Sequence, residues 1–189
     1  MKKTLSIFAL AALVSSAQAV GFSWSLSAIA FDGSTLKSDT GLTASLVYLG
    51  NAGTLASSYD VATIASTLDV VDSKSGTTSK GAVSNSYEFN DVADYTTYNG
   101  DVYAILLSYT SDNKTYYNLS SATYTVSGIA DETSSLDTFK PAASTFSYGT
   151  KTEASTLTAG SGWVAAVPEP GIACMALLGI GMMIKRRRA

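Results

Sequence analysis

Histidine is absent from all 189 residues of this chain. That removes the commonest general base, the Ser-His and Cys-His nucleophile pairs, and the commonest zinc ligand. Cysteine occurs once, at Cys174, so no intrachain disulfide can form even in an oxidising compartment. Proline occurs three times, and Pro168 and Pro170 share one triplet near the C-terminus. The long stretch before them keeps only Pro141, which argues against a proline-rich disordered stalk. Arginine is confined to Arg186, Arg187 and Arg188. Between Val20 and Val167 there are 6 Lys, no Arg, 11 Asp and 3 Glu, a net charge of −8 that the whole-chain value of −3 conceals. Such an acidic body excludes nucleic acid and anionic lipid as partners, and an acidic polysaccharide would be repelled unless cations bridged the two.

What is present is concentrated first at the two ends. Lys2 and Lys3 precede the apolar run Leu5 to Val14, and Ala17-Gln18-Ala19 has the small-x-small form that signal peptidase accepts. Residues 1–19 are therefore expected to be a signal peptide cut after Ala19. At the other end, Gly171 to Ile184 are 14 uncharged residues followed at once by Lys185, Arg186, Arg187 and Arg188. A helix of that length is roughly 21 Å long, short of the ~30 Å hydrocarbon core. The run has no polar stripe at helical spacing, and the four cations can snorkel to extend the span. By the positive-inside rule they also hold the C-terminus in the cytoplasm. Val167-Pro168-Glu169-Pro170 then falls at the outer interface, since a carboxylate at the bilayer centre costs a few kcal/mol. There Pro170 suits a helix start, Glu169 complements the helix N-terminus, and Trp163 is expected at headgroup depth.

Val167-Pro168-Glu169-Pro170, a short apolar helix and a basic terminus, in that order, resemble the PEP-CTERM sorting signal of Gram-negative bacteria. The resemblance covers about 23 residues, together with the expected signal peptide. It departs from the usual pattern at Cys174 and Met175, where small or branched residues are more common. What it implies is recognition and cutting by a membrane-embedded exosortase, a cysteine-type transpeptidase or protease. Release or transfer to the cell surface, often with exopolysaccharide, then follows. For Cys174 itself, a small apolar residue within the span outweighs a lipidation or redox role.

Between the ends, Ser and Thr supply 46 of 148 residues, and all 11 tyrosines lie here. Strand-type alternation marks Phe22 to Ala28, Leu42 to Leu49 and Val83 to Phe89. Val102 to Tyr109 is apolar on both faces, as a central strand covered on both sides would be. It meets the turn Ser111-Asp112-Asn113-Lys114 and returns over Tyr116 to Val126 as a hairpin. Val61, Ile64, Ala65 and Leu68 fall at helical spacing, so an amphipathic helix is expected over residues 59–71, with Ser58 as its cap. Ser73 to Lys80 reads as a loop and Thr145 to Tyr148 as a further strand. Residues 150–166 read as a flexible linker. The expected fold is mostly β, an antiparallel β-sandwich or barrel with one helix over residues 20–149, plus the transmembrane helix 171–184.

Chemistry in the body rests on carboxylates and tyrosines. Asp91 with Asp94, or Asp69 with Asp72, would have to face each other across a cleft to work as a glycosidase pair, and no surrounding motif supports either. Asp112-Asn113 and Asn90-Asp91-Asp94 carry oxygen ligands without the spacing of a calcium loop. Asn113-Lys114-Thr115 and Asn118-Leu119-Ser120 fit the glycosylation pattern. Tyr95, Tyr98, Tyr103, Tyr109, Tyr116, Tyr117 and Tyr124 could stack on sugar rings, although aromatics in strands more often form core or cross-strand pairs. The sequence thus points to a non-enzymatic surface or extracellular-matrix protein with no cofactor and no metal. Its expected partners are signal peptidase, exosortase, the lipid bilayer and exopolysaccharide. A carbohydrate-binding module and, behind it, a glycosidase are the rival readings.

Overall fold

The computed structural model describes residues 20–89 and 94–167. The expected signal peptide, residues 90–93 with Asp91 among them, and everything from Pro168 onward therefore lie outside the described residues. The strands are β1 (Gly21–Leu26), β2 (Ala30–Phe31), β3 (Ser34–Thr35), β4 (Leu42–Asn51), β5 (Tyr59–Asp60), β6 (Asp69–Ser75) and β7 (Val83–Glu88). They continue with β8 (Asp101–Ser111), β9 (Lys114–Leu119), β10 (Tyr124–Thr125), β11 (Lys151–Glu153), β12 (Thr156–Leu157) and β13 (Trp163–Ala165). One α-helical turn, α1 (Ile64–Thr67), interrupts them. Among the described residues the protein is mostly β, with 44% strand against 8% helix.

A seven-stranded sheet in the order β11-β13-β9-β8-β4-β6, with β10 also on β8, organises everything else. Its pairings are antiparallel except β11 with β13. The central strand β8 is the Val102–Tyr109 run, and Val102 to Leu107 are all buried regardless of parity, as a strand covered on both faces requires. The hairpin to β9 turns on Asp112 and Asn113, both at positive φ (52° and 61°), the type I′ geometry that matches strand twist. Past Leu119 the chain bulges and rejoins the same edge of β8 as β10, so the expected Tyr116–Val126 strand is broken in two.

One face of this sheet packs under the β1–β7 ribbon. Phe22, Trp24 and Leu26 from β1 and Val83 from β7 join Leu42, Ala44, Leu46, Tyr103, Ile105 and Leu107 in the larger core. The ribbon ends at Leu26, and Ala28, exposed at φ 53°, lies outside it. On the opposite face Val47, Ala104, Leu106, Leu119 and Val164 are covered by Val61, Ile64 and Leu157.

The helix expected over residues 59–71 is not formed. β5 pairs with β12, α1 makes a single turn, and Asp69–Ser75 runs as the edge strand beside β4. Val61 and Ile64 are buried, but Ala65 is exposed. Thr63, Ser66, Thr67, Val70 and Val71 are weak helix formers, and pairing with β4 outweighs the local apolar spacing. The Ser66 and Thr67 hydroxyls bond back to the Thr63 carbonyl, while Thr63, not Ser58, is the N-cap. The expected loop from Ser73 likewise begins only after Ser75.

The linker is a correction of the same kind. Residues 151–165 contribute β11, β12 and β13, and Trp163 is fully buried, with its indole Nε1 donating to the Ala30 carbonyl at 2.9 Å. Trp163 is thus a core anchor and not an interfacial residue. Ser/Thr/Ala/Gly composition suggests a linker, yet buried Leu157, Trp163 and Val164 give the segment an apolar stake in both cores. Gly162 permits the approach: at φ 100°, any Cβ there would lie 2.6 Å from Thr150 Cβ. The strand expected at Thr145–Tyr148 is instead a 3-10 turn, Ala143–Thr145, followed by stacked Phe146 and Tyr148 rings, 5.2 Å between centroids.

Candidate functional site

Of the sorting residues, only Val167 lies within the described residues, where it is 52% exposed. Ala17, Ala19, Pro168, Glu169, Pro170 and the cations Lys185, Arg186, Arg187 and Arg188 lie outside them, as does the apolar run 171–184. Among the described residues no helix is long and apolar enough to cross a membrane. β13 closes at Ala165, so the motif follows the sheet with almost no spacer.

The carboxylates of the body are tied into the fold. A shift of register between Leu46 and Val47 brings Asp69 opposite Tyr48 and Asp72 opposite Leu46, on the same face. Asp72 accepts from Trp24 Nε1 at 2.8 Å and from Asn85 Nδ2 at 3.0 Å, which clamps β6 to the ribbon. Asp94 caps the 3-10 turn Tyr95–Tyr98 through Thr96, whose hydroxyl and backbone hydrogen bonds hold its carboxyl below the usual range. Asp101, which sequence reasoning passed over, is the one buried carboxylate among the described residues and accepts from Tyr48 Oη at 3.1 Å and Asn51 Nδ2 at 3.2 Å. Its only sequence signal is an acidic residue at the mouth of an apolar strand. Asp112 and Asn113 serve the β8–β9 turn, and no group of three or more metal-ligating side chains occurs among the described residues.

The tyrosines pack against the cores, most of them half-buried. None of the 11 is exposed, and Tyr103, Tyr116 and Tyr148 are buried. Tyr103 packs 5.2 Å from Phe22, 5.4 Å from Tyr48 and 5.7 Å from Tyr87, centroid to centroid, and burial pushes its phenol well up. A second cluster joins Phe31, Tyr109, Tyr148 and Trp163, with Lys151 Nζ 5.2 Å above Phe31 and 2.9 Å from Asp32. A row of solvent-facing rings for sugar stacking is therefore not present among the described residues.

Two sequence signals separate sharply by burial. Asn113 stands exposed at a hairpin tip, whereas Asn118 and Ser120 are both fully buried. Neither Nδ2 nor Oδ1 of Asn118 has a hydrogen-bond partner among the described residues. Only the first glycosylation pattern is reachable in the folded protein.

The surface offers one acidic groove of about 320 Å³ between the ribbon and residues 132–136, with Glu88, Glu132, Ser23 and Ser86 in its walls. A second feature is broader. Because cross-strand partners project to one face, register assigns every side chain of the large sheet to a side. All seven charged residues of its strands, Asp69, Asp72, Lys74, Asp101, Lys114, Lys151 and Glu153, fall on the ribbon side. Several are paired there, Lys114 with Glu153 and Asp72 with Trp24. The opposite face carries no charge from any of these strands. Half of it is the smaller apolar core, and the other half carries Ser75, Thr43 and Ser108 in one cross-strand row, with Ser73 and Ser45 in the next.

No family model, no characterised protein and no solved structure gives a match to this chain.

Proposed function

We propose that the chain is an exported bacterial envelope protein, held across the inner membrane by residues 171–184 until an exosortase cuts near Val167-Pro168-Glu169-Pro170. The body then serves at the cell surface or in the extracellular matrix as a structural or adhesive component, without catalysis of its own. The observation that carries this reading is the order, at the C-terminal end, of Val167-Pro168-Glu169-Pro170, the uncharged run 171–184 and the cations Lys185 to Arg188. Among the described residues, side chains drawn from Val20 to Ala165 pack into two apolar cores. At the other end, Val20 is 2% exposed and its carbonyl accepts from Phe89 N at 2.7 Å. Val20, the first residue left by a cut after Ala19, is thus held in the fold. The finer architecture belongs to the same reading: a β-sandwich in which the ribbon is the second layer, and a transmembrane helix beyond it.

The test is genetic and biochemical. Glu169→Ala, or deletion of Lys185 to Arg188, is expected to leave a larger, membrane-retained form in place of the mature protein. Unchanged size and location in a host lacking its exosortase would overturn the reading.

A further inference from the structure

Packing explains only half of the charge-free face of the large sheet. Val47, Ala104, Leu106 and Leu119 need their cover of Val61 and Ile64. The Ser75–Thr43–Ser108 row lies beyond that cover, with Ser75 exposed and Thr43 and Ser108 half-buried. A solvated sheet face in a body of net charge −8 has no packing reason to exclude charge. Here it is excluded from all of β4, β6, β8, β9 and β11, while the same strands place seven charges on the other side. What remains is a set of donors and acceptors at fixed intervals, about 4.8 Å between strands and roughly 6.8 Å between same-face residues along a strand. Uncharged hydroxyls give up water far more cheaply than carboxylates or ammonium groups do.

A second observation lies at the end of the row. Ser108 pairs with Tyr117 in register, so the row ends in a half-buried ring that packs on one side against the edge of the smaller core. Beside Tyr117 opens a cleft of about 290 Å³ that also takes in Thr115, Asn113 and Lys114, the last with its charge met by Glu153. A polymer lying along the row would therefore meet hydroxyls first and then an apolar ring beside a recess.

We propose that this face binds an uncharged polysaccharide chain, laid across β6, β4, β8 and β9 along the Ser75–Thr43–Ser108–Tyr117 row. Sugar hydroxyls exchange hydrogen bonds with the row, and the Tyr117 ring packs on a pyranose face. The acidic body repels polyanions but leaves a neutral chain unopposed. The proposal deepens the matrix role given above, yet it concerns the body alone and stands even if the tail is never processed.

The experiment is electrophoresis of the protein recovered from its host in native gels cast with hydroxyethyl cellulose, or with alginate as the polyanion. Retardation by hydroxyethyl cellulose and none by alginate is expected. Ser75→Lys, at an exposed edge position, is expected to weaken the apparent affinity at least ten-fold. Ser86→Lys, which places the same charge on the outer face of the ribbon, is expected to leave it unchanged. Tyr117→Ala gives a second variant, and matching near-ultraviolet circular dichroism certifies that each is folded. The proposal is overturned by no retardation of the wild type, by retardation in alginate alone, or by equal effects of Ser75→Lys and Ser86→Lys.

Discussion

Asp72 belongs to a strand that, taken alone, offers it to Asp69 as half of an acid pair. In the fold its carboxylate is consumed by the Trp24 indole and the Asn85 amide, so it works as a bridge between layers. Asp72→Ala would strand the indole N–H of a residue that has no solvent exposure, at a cost of about 1–3 kcal/mol. A loss of that size in unfolding free energy, read as a lower urea midpoint at unchanged m-value, is the expected result, and an unchanged midpoint would contradict the bridge. The tyrosines carry a second residue-scale prediction. Seven phenols, those of Tyr48, Tyr87, Tyr98, Tyr103, Tyr109, Tyr124 and Tyr148, are raised above the ordinary value of 10.0, with burial the first cause in each. A raised folded value means that stability is fully present below the unfolded value and is lost as pH rises through the folded one. Urea stability should therefore hold level up to about pH 10 and decline above it. In a spectrophotometric titration these phenolates should appear late and together with unfolding. Titration of all 11 near the ordinary value with the fold intact would contradict it.

Trp163 and Ala65 decide the two elements where local composition and final structure part. If residues 150–166 were a linker, Trp163→Ala would be silent; as a buried core anchor it should cost about 3–5 kcal/mol in denaturant unfolding. Ala65 works in the opposite sense. An amphipathic helix would bury it beside Ile64, but in the single turn α1 it is exposed. Ala65→Lys is therefore expected to change stability by no more than about 0.5 kcal/mol. The strands that could be read from sequence were those whose pattern is set by their own two faces: Phe22 to Leu26, Leu42 to Leu49, Val83 to Glu88, and the doubly apolar Val102 to Tyr109 with its hairpin return from Tyr116. The rest depended on distant partners. Asp69–Ser75 is a strand because β4 has a vacant edge, β13 because β9 does, with β11 added on β13, and β12 because β5 does; no such edge leaves a trace in the segment that fills it. Short strands of two or three residues also carry too little pattern to be seen.

For the whole molecule, the same distinction separates destination from role. The proposed address rests on contiguous residues at the two ends, so it could be proposed without a fold. The uncharged hydroxyl face is assembled from five strands spread between Thr43 and Thr152, and no stretch of the chain displays it. It becomes visible only when register assigns seven charges to one side of a sheet. The tyrosines illustrate the converse, since their crowding in sequence left core and sugar-stacking readings open, the core reading the stronger, and most of them pack against the larger core. Joining the parts, an acidic, mostly β body ends close to the proposed sorting motif, with β13 ending two residues before Val167. Intact mass and terminal peptide spectrometry of the protein recovered from its host's envelope and medium tests this most directly. A chain that begins at Val20 and lacks Lys185 to Arg188 is the expected result, and a recovered chain still running from Met1 to Ala189 would contradict it.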